Sequence, residues 1–412
     1  MRWFKYTAIS ISILLLLALI LPFLIPLNRF IPQLEKLTSE KLGAPVKIAA
    51  LKLSLLPLPA VMAEGIRVEQ GQPIKIEALI LRPALGSLFQ DVKVLRSVEL
   101  KGLLVNQRLI GLLAALASTA NSGAQPVRVE RIKLRALQLD LDTLQWGPLR
   151  ADIELNETGV QAIEAGSEDG KFTLELTPRA GGQDLRIMAK NWVLPIKPAL
   201  KFDDLTATGF LKQTTLNISE IRGKLYGGTL QGKANVDWAR GWKINGEVVS
   251  RHVETKDIVA LLTPTVGVSG KLHAHGGFSL RAKEIGQLAN SLNGNFKFEV
   301  KQGVLYGFDL AQAIRTFAQG GTRGGQTRFD ALTGTLVITG KQYRLKQLYV
   351  ASGVLSANGN VDIAPSKKLS GLVNVAPKGM ASLVEVPLDV SGTLSNPISG
   401  PGWSSPAARS AA

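Results

Sequence analysis

The 412-residue sequence predicts a mainly β protein: an N-terminal transmembrane helix followed by an extended, curved antiparallel sheet, groove-like or taco-like, with a few short helices. Three observations predict it. Apolar and polar residues alternate with a period of two over many short stretches, which on a pleated strand leaves one face wet and turns the other toward something dry. Glycine recurs on the apolar side, at Gly232, Gly246, Gly334, Gly359, Gly371 and Gly392, where it removes volume from a would-be core and permits strong curvature or the approach of a ligand. Finally, Thr7 to Leu27 contains no charged residue and is long enough, at about 1.5 Å per residue, to cross a hydrocarbon core of roughly 30 Å.

That N-terminal stretch reads as an uncleaved anchor. Arg2 and Lys5 supply the basic region a signal peptide would have, but the exit around Pro22 to Arg29 offers no pair of small residues for cleavage. A short tail ahead of a first hydrophobic segment is typical of a signal-anchor, which places the body outside the cytoplasm. Asn28 to Leu42 is expected to be a juxtamembrane helix with Leu34, Leu37 and Leu42 on one side, stopped by Gly43. Strands are expected at Val46 to Leu55, Gly65 to Glu69, Ile74 to Leu81 and Val94 to Val105, then a helix at Leu109 to Ala117 and a flexible loop at Ser118 to Gln125. From Val127 the alternation slips phase twice, between Val129 and Ile132 and between Leu134 and Leu137, which marks bulges or a turn.

The clearest hairpin runs from Thr229 to Val248. Leu230, Gly232, Ala234, Val236 and Trp238 share one face and return as Trp242, Ile244, Gly246 and Val248. The same alternation recurs at Phe296, Phe298 and Val300, at Leu336 and Ile338, at Val361 and at Val390. Helices are expected at Thr255 to Leu262, Ala282 to Leu292 and Phe308 to Gln319, and the tail from Ser399 is too poor in apolar residues to order itself. The regions are therefore 1–27 (tail and anchor), 28–126, 127–200, 201–398 and 399–412.

A net charge of +16 favours anionic partners: acidic lipid head groups, lipopolysaccharide phosphates or nucleic acid. Nucleic acid is disfavoured, because the basic residues are spread along strands without a run of interleaved aromatics. The absence of cysteine fits an oxidising compartment. No cofactor and no catalytic or metal-binding motif is recognised. Gly227 to Lys233 begins like a phosphate loop, but Ala234 replaces the hydroxyl that would hold magnesium, and a strand follows where a helix is needed. Asp140 and Asp142 lie together on one strand face, where solvation explains them better than glycosidase chemistry. His273 and His275 share a strand face, with His252 as the one further histidine.

An apolar sheet face left in water costs about 25 cal/mol per Å², so it must be covered. It either closes on itself as a filled barrel or sandwich, or stays open and receives a guest. The run TRFDALTGTLVITGKQYRLKQLYVASGVLSANGNVDI, the closing VPLDVSGTLSNP, the internal YGGTLQGKANVD and SLNGNFKFEVKQGVLYGFDLAQAI, and LGAPVKIAALKLSLLPLPAVMAEGIRV after the anchor together resemble the AsmA-like bacterial envelope proteins. The resemblance implies a single-pass inner-membrane protein with a periplasmic β body, related to repeating-β-groove lipid-transfer proteins. It implies no enzyme activity. The expected function is to bind or conduct phospholipids or other acylated envelope lipids in outer-membrane lipid homeostasis, with envelope proteins as further partners. The alternative is a scaffold or assembly factor that carries no lipid.

The candidate lipid-groove residues are Leu230, Gly232, Ala234, Val236, Ile244, Gly246, Val248, Phe296, Phe298, Val300, Leu336, Ile338, Val361 and Val390. If the glycines leave free volume, Gly246→Leu is expected to obstruct a lipid while leaving the sheet folded.

Overall fold

The computed structural model describes residues 27–54, 58–69, 74–87, 90–106, 127–141, 144–157, 159–196, 198–261, 263, 267–315, 323–378 and 385–401. They fall into two units, Met1–Pro178 and Arg179–Ala412. The anchor at Thr7 to Leu27 lies outside the described residues except for its last, as do the helix expected at Leu109 to Ala117 and the loop at Ser118 to Gln125. Among the described residues no helix is long and apolar enough to cross a membrane.

The first unit opens with a 3-10 turn, Leu27–Phe30, and helix α1, Ile31–Leu42, which ends where Gly43 takes the left-handed conformation (φ 64°) that glycine adopts without strain. Leu42 and Ile31 pack on a small core of Ala44, Val46, Leu51, Ala63, Ile66 and Val68. Leu34 and Leu37 do not join them but are exposed at 38% and 55%. The expected common face of the three leucines is thus corrected: at about 100° per residue, Leu42 stands some 140° around the helix from Leu37.

Strands β1 (Val46–Lys47) and β2 (Ala50–Ser54) both pair antiparallel with β3 (Ala60–Val68), which pairs with β4 (Ile74–Pro83), and β4 with β5 (Lys93–Lys101). The stretch read as one strand from Val94 to Val105 is two, because Gly102 turns to φ 62° before β6 (Leu104–Asn106). A second departure is the pairing direction. Strand β5 runs parallel to β7 (Val127–Val129) and to β8 (Arg131–Leu141), and β6 runs parallel to β8. Parallel pairing requires a connection of about a dozen or more residues, and β6 and β7 are far enough apart in sequence to allow it. From β8 onward the unit is antiparallel again, through β9 (Leu144–Asn156) and β10 (Gly159–Ser167) to β11 (Phe172–Arg179). The phase slip read between Leu134 and Leu137 is a bulge, with Ala136 at φ 51° and a register shift at that point.

Asp169 organises the β10–β11 turn. It accepts from the Ser167 hydroxyl (2.6 Å) and the Lys171 amide (3.1 Å), while Ser167 accepts from the Phe172 amide (3.1 Å). The hydrogen bond from Ser167, and then those from Lys171, pull the Asp169 carboxyl from 3.8 down to about 2. A depressed carboxylate contributes stability that is present above its unfolded pKa and is lost as pH falls through the folded value. Acidification from about pH 4 to pH 2 should therefore open this turn, read as loss of hydrogen-exchange protection at Phe172, and Asp169→Asn should remove that pH step.

The second unit is a continuous antiparallel meander: β12 (Gly182–Val193), β13 (Lys201–Lys212), β14 (Thr215–Leu225), β15 (Gly228–Asp237), β16 (Trp242–Glu254), β17 (Gly267–Ala282), β18 (Asn293–Tyr306), β19 (Gln326–Thr339), β20 (Gln342–Ala351), β21 (Leu355–Ile363), β22 (Leu369–Pro377), β23 (Val386–Thr393) and β24 (Asn396–Pro401). Each strand pairs with the next. Strands β12 and β24 do not pair with each other, so the sheet is open and not a barrel. Bulges at Ile218/Ile221, Ser250/Val253, Ser269/Lys271, Thr333/Thr335 and Leu345/Leu348 bend and coil it. Strand β24 takes in Ser399 to Pro401 of the expected tail, because Ser399 pairs with Val390 and is buried.

Two of the expected helices form as short α-helices, α2 (Thr255–Ala260) and α3 (Leu310–Arg315). The helix expected at Ala282 to Leu292 is a 3-10 turn, Ile285–Ser291, since β17 runs on to Ala282. There the Ser291 hydroxyl bonds to the Leu288 carbonyl and the Arg281 amide, the local competition by which serine disfavours a regular helix.

The deepest core of the unit gathers at one end of the strands: Val300, Phe329, Leu332, Val350, Leu355, Val375 and Leu388, with Leu310 and Ala313 of α3 inserted among them. Buried Thr327 clamps α3, accepting from the Leu310 amide (3.0 Å) and donating to the Phe308 carbonyl (2.9 Å). At this end the β16–β17 connection also reaches the β23–β24 turn, where Thr263 Oγ1 donates to the Leu394 carbonyl (3.3 Å). The sheet is thus drawn together and dry there.

Candidate functional site

Antiparallel register decides which alternating residues meet, and here it gathers the candidate residues on one face. A single cross-strand row runs Gly232, Val248, Gly276, Phe296, Leu336, Leu345, Val361, Gly371, Val390, from β15 to β23. A second runs Ala234, Gly246, Phe278, Gly294, Ile338, Tyr343, Ile363. Val236 and Ile244 pair beyond it toward Leu280, while Leu230 lies on the other side, in the row of Ser250, Ala274, Phe298 and Gly334. Val300 sits further along, between Leu272 and Leu332.

Burial divides this floor. Val300 and Val390 belong to the closed core, Phe298 and Val361 pack against it, and Ile338 is buried as well. Leu230, Gly232, Ala234, Val236, Ile244, Gly246, Val248, Phe296 and Leu336 are only half-buried. The intervening residues, such as Lys233, Lys243, Glu247 and Lys297, are exposed, and Lys233 pairs with Glu247 across the wet face (3.1 Å). An open concavity of about 720 Å³ follows the second row, but its lining takes in the wet-face residues on either side of that row, Lys233, Asn235, Asn245, Glu247, Asn293 and Asn295 among them, and none of Gly232, Val248, Gly276, Phe296 and Leu336. With polar rows on both sides and no first-row residue, this concavity belongs to the wet face and is not the apolar floor.

The glycines do not leave this floor empty. A Cβ placed on Gly246 would come within 2.6 Å of Phe278 Cζ, one on Gly294 within 2.5 Å of Phe296, and one on Gly334 within 3.0 Å of both Phe298 and Leu348. Each phenylalanine lies over a glycine, which paves the floor with aromatic carbon. Gly392 has a different cause: it pairs with Pro397 near the end of β23, just before the β23–β24 turn, with a φ of 84° that favours glycine. The expectation that Gly246→Leu leaves the sheet undisturbed is corrected accordingly, because a leucine must push Phe278 aside. Overpacking of this kind costs about 1–3 kcal/mol. Gly246→Leu should lower the melting temperature, and Phe278→Ala in the same chain should recover part of the loss, a coupling that a double-mutant cycle reads directly.

Phe278, Gly276, Gly294 and Leu345 were missed by sequence reasoning. Phe278 carries the right alternation for the floor, but its pairing to Gly246 exists only once β16 and β17 are in register. The remaining sequence motifs find plain places. Gly227 to Lys233 forms a hairpin turn and the start of β15, and Asp140 is exposed on β8, while Asp142 is outside the described residues. His252 and His273 meet edge to face with ring centroids 4.4 Å apart, and burial, then the neighbouring His252, holds the His273 pKa below 6.5. Among the described residues no group of three His, Cys, Asp or Glu side chains is placed to hold a metal.

Among known proteins, no curated protein and no solved structure matches this chain. The sequence profile of the AsmA family matches residues 118–345. That stretch is more than half of the chain and takes in the floor from β15 to β19, so the chain belongs to the AsmA family.

Proposed function

We propose that this protein is an inner-membrane-anchored, periplasmic member of its family whose second unit holds or conducts the acyl chains of phospholipids along the floor of β15 to β19. One observation carries the reading: a continuous apolar row crosses these strands half-buried, while the same row is packed into a core further along the sheet. A half-buried paved floor is left to be covered by a mobile apolar guest, at about 25 cal/mol per Å² of apolar surface removed from water. The head group stays at the rim, where the basic excess of the chain suits a phosphate. The reading needs no chemical step, and no catalytic residue is assigned.

A scaffold without lipid is the second reading, favoured by the closed end, where α3 fills the sheet with the chain's own side chains. Mass spectrometry of lipids in gently purified full-length protein tests the two. The groove reading expects phospholipid at a defined stoichiometry. A delipidated protein that takes up none from vesicles and melts unchanged would overturn it.

A further inference from the structure

Helix α1 carries apolar residues on two sides. A helix on a globular protein ordinarily turns its apolar stripe to the core. Here Ile31 and Leu42 turn that way, beside polar groups that hydrogen-bond the sheet: the Val46 amide donates to Ser39 Oγ (2.8 Å) and the Ile48 amide to Glu35 Oε1 (2.8 Å), while the Leu51 amide donates to Asn28 Oδ1 (3.0 Å) in the preceding 3-10 turn. Val46 lies in β1, Leu51 in β2 and Ile48 between them, and β1 and β2 pair only with β3, so the helix and the turn before it cap this strand edge with side-chain oxygens. Glu35 is further fixed by Lys47 (3.7 Å). The opposite side carries Phe30, Leu34 and Leu37, at spacings of four and three residues, and they are 48%, 38% and 55% exposed. Exposed Arg29 and Lys36 flank them.

We propose that this outward stripe lies in the membrane interface, with Phe30, Leu34 and Leu37 among the upper acyl carbons and Arg29 and Lys36 at anionic head groups. The occupant follows from where the chain comes from. The uncharged run ends at Leu27, and a 3-10 turn rising about 2 Å per residue keeps Phe30 only about 6 Å beyond it. An interfacial helix buries its apolar face by roughly 5–10 Å, a depth this distance allows. The hydrogen bonds to Val46, Ile48 and Leu51 fix the rotation of α1, so seating the stripe also sets how β1 to β3 stand over the bilayer. The proposal rests on the anchor reading above.

The chain contains no cysteine, so single labels can be placed without background. Full-length Leu34→Cys, Leu37→Cys, Asn245→Cys and Leu17→Cys would each carry a nitroxide in vesicles of phosphatidylethanolamine and phosphatidylglycerol. Collision with oxygen, which partitions into lipid, is then compared with collision with a water-soluble nickel chelate. The labels at 34 and 37 should collide several-fold more with oxygen than with nickel, and the label at 245 should show the reverse. Nickel access at 37 equal to that at 245 would overturn the proposal, as would protection from both reagents, the mark of a protein covering the stripe. The label at Leu17 reads the anchor separately. Lipid exposure at 17 with water exposure at 34 and 37 defeats this inference alone, whereas water exposure at 17 defeats the anchor.

Discussion

Val236→Asp should strip bound lipid from the protein while barely changing its melting temperature. Val236 is half-buried on the floor, opposite Ile244 at the open end of β15. In the empty sheet an aspartate there keeps its hydration, so folding loses little beyond a partial apolar contact. Once an acyl chain covers the position, the carboxylate must be desolvated without a partner, at a cost of several kcal/mol, about 2–7 even for a neutral polar group. Each 1.4 kcal/mol is about tenfold in affinity, so lipid content should fall by two orders of magnitude or more. Lipid per mole of protein, measured beside a thermal melt, checks it. Retained lipid would mean that the acyl chain lies elsewhere, and a collapsed melt would mean that Val236 is ordinary core.

Leu388→Ala should do the reverse. Leu388 is 1% exposed in the dry end of the same unit, among Leu355, Val375 and the α3 residues. Truncating a fully buried leucine costs about 2–5 kcal/mol, transfer and cavity terms together. For a unit of this size that corresponds to a drop in melting temperature on the order of 10 °C. Because the cavity opens among self-packed side chains away from the floor of β15 to β19, lipid per folded molecule should stay as in the parent. The two substitutions, on adjoining parts of one sheet, thus separate the open floor from the core by opposite responses.

Much of this was legible in the residues because the signals are local. Alternation with period two puts Leu230, Gly232, Ala234 and Val236 on one face whatever surrounds them, and Gly43 stops α1 through its own backbone freedom. The phase slip at Leu134 to Leu137 announced a bulge for the same reason, since one extra residue inverts every side chain after it. The family also follows from sequence alone.

What depended on pairing did not show. The parallel junction of β5 with β7 and β8 depends on which strands find each other across residues 107–126. That Phe278 fills the space above Gly246 is a fact of register between strands whose residues lie about 30 positions apart. Likewise, the alternation of Val300 and Val390 resembles that of Val236, yet α3 and the curled end of the sheet bury the first two and leave Val236 half-open. Leu34, Leu37 and Leu42 are alike in composition, but amides along the β1 and β2 edge bind one side of α1 and the turn before it, and so turn Leu42 inward and the other two out. The sequence by itself determined which faces are apolar, because side-chain direction repeats with the local backbone. Only the tertiary structure decided which of those faces are covered, because coverage is set by register, curvature and the docking of elements far apart in the chain.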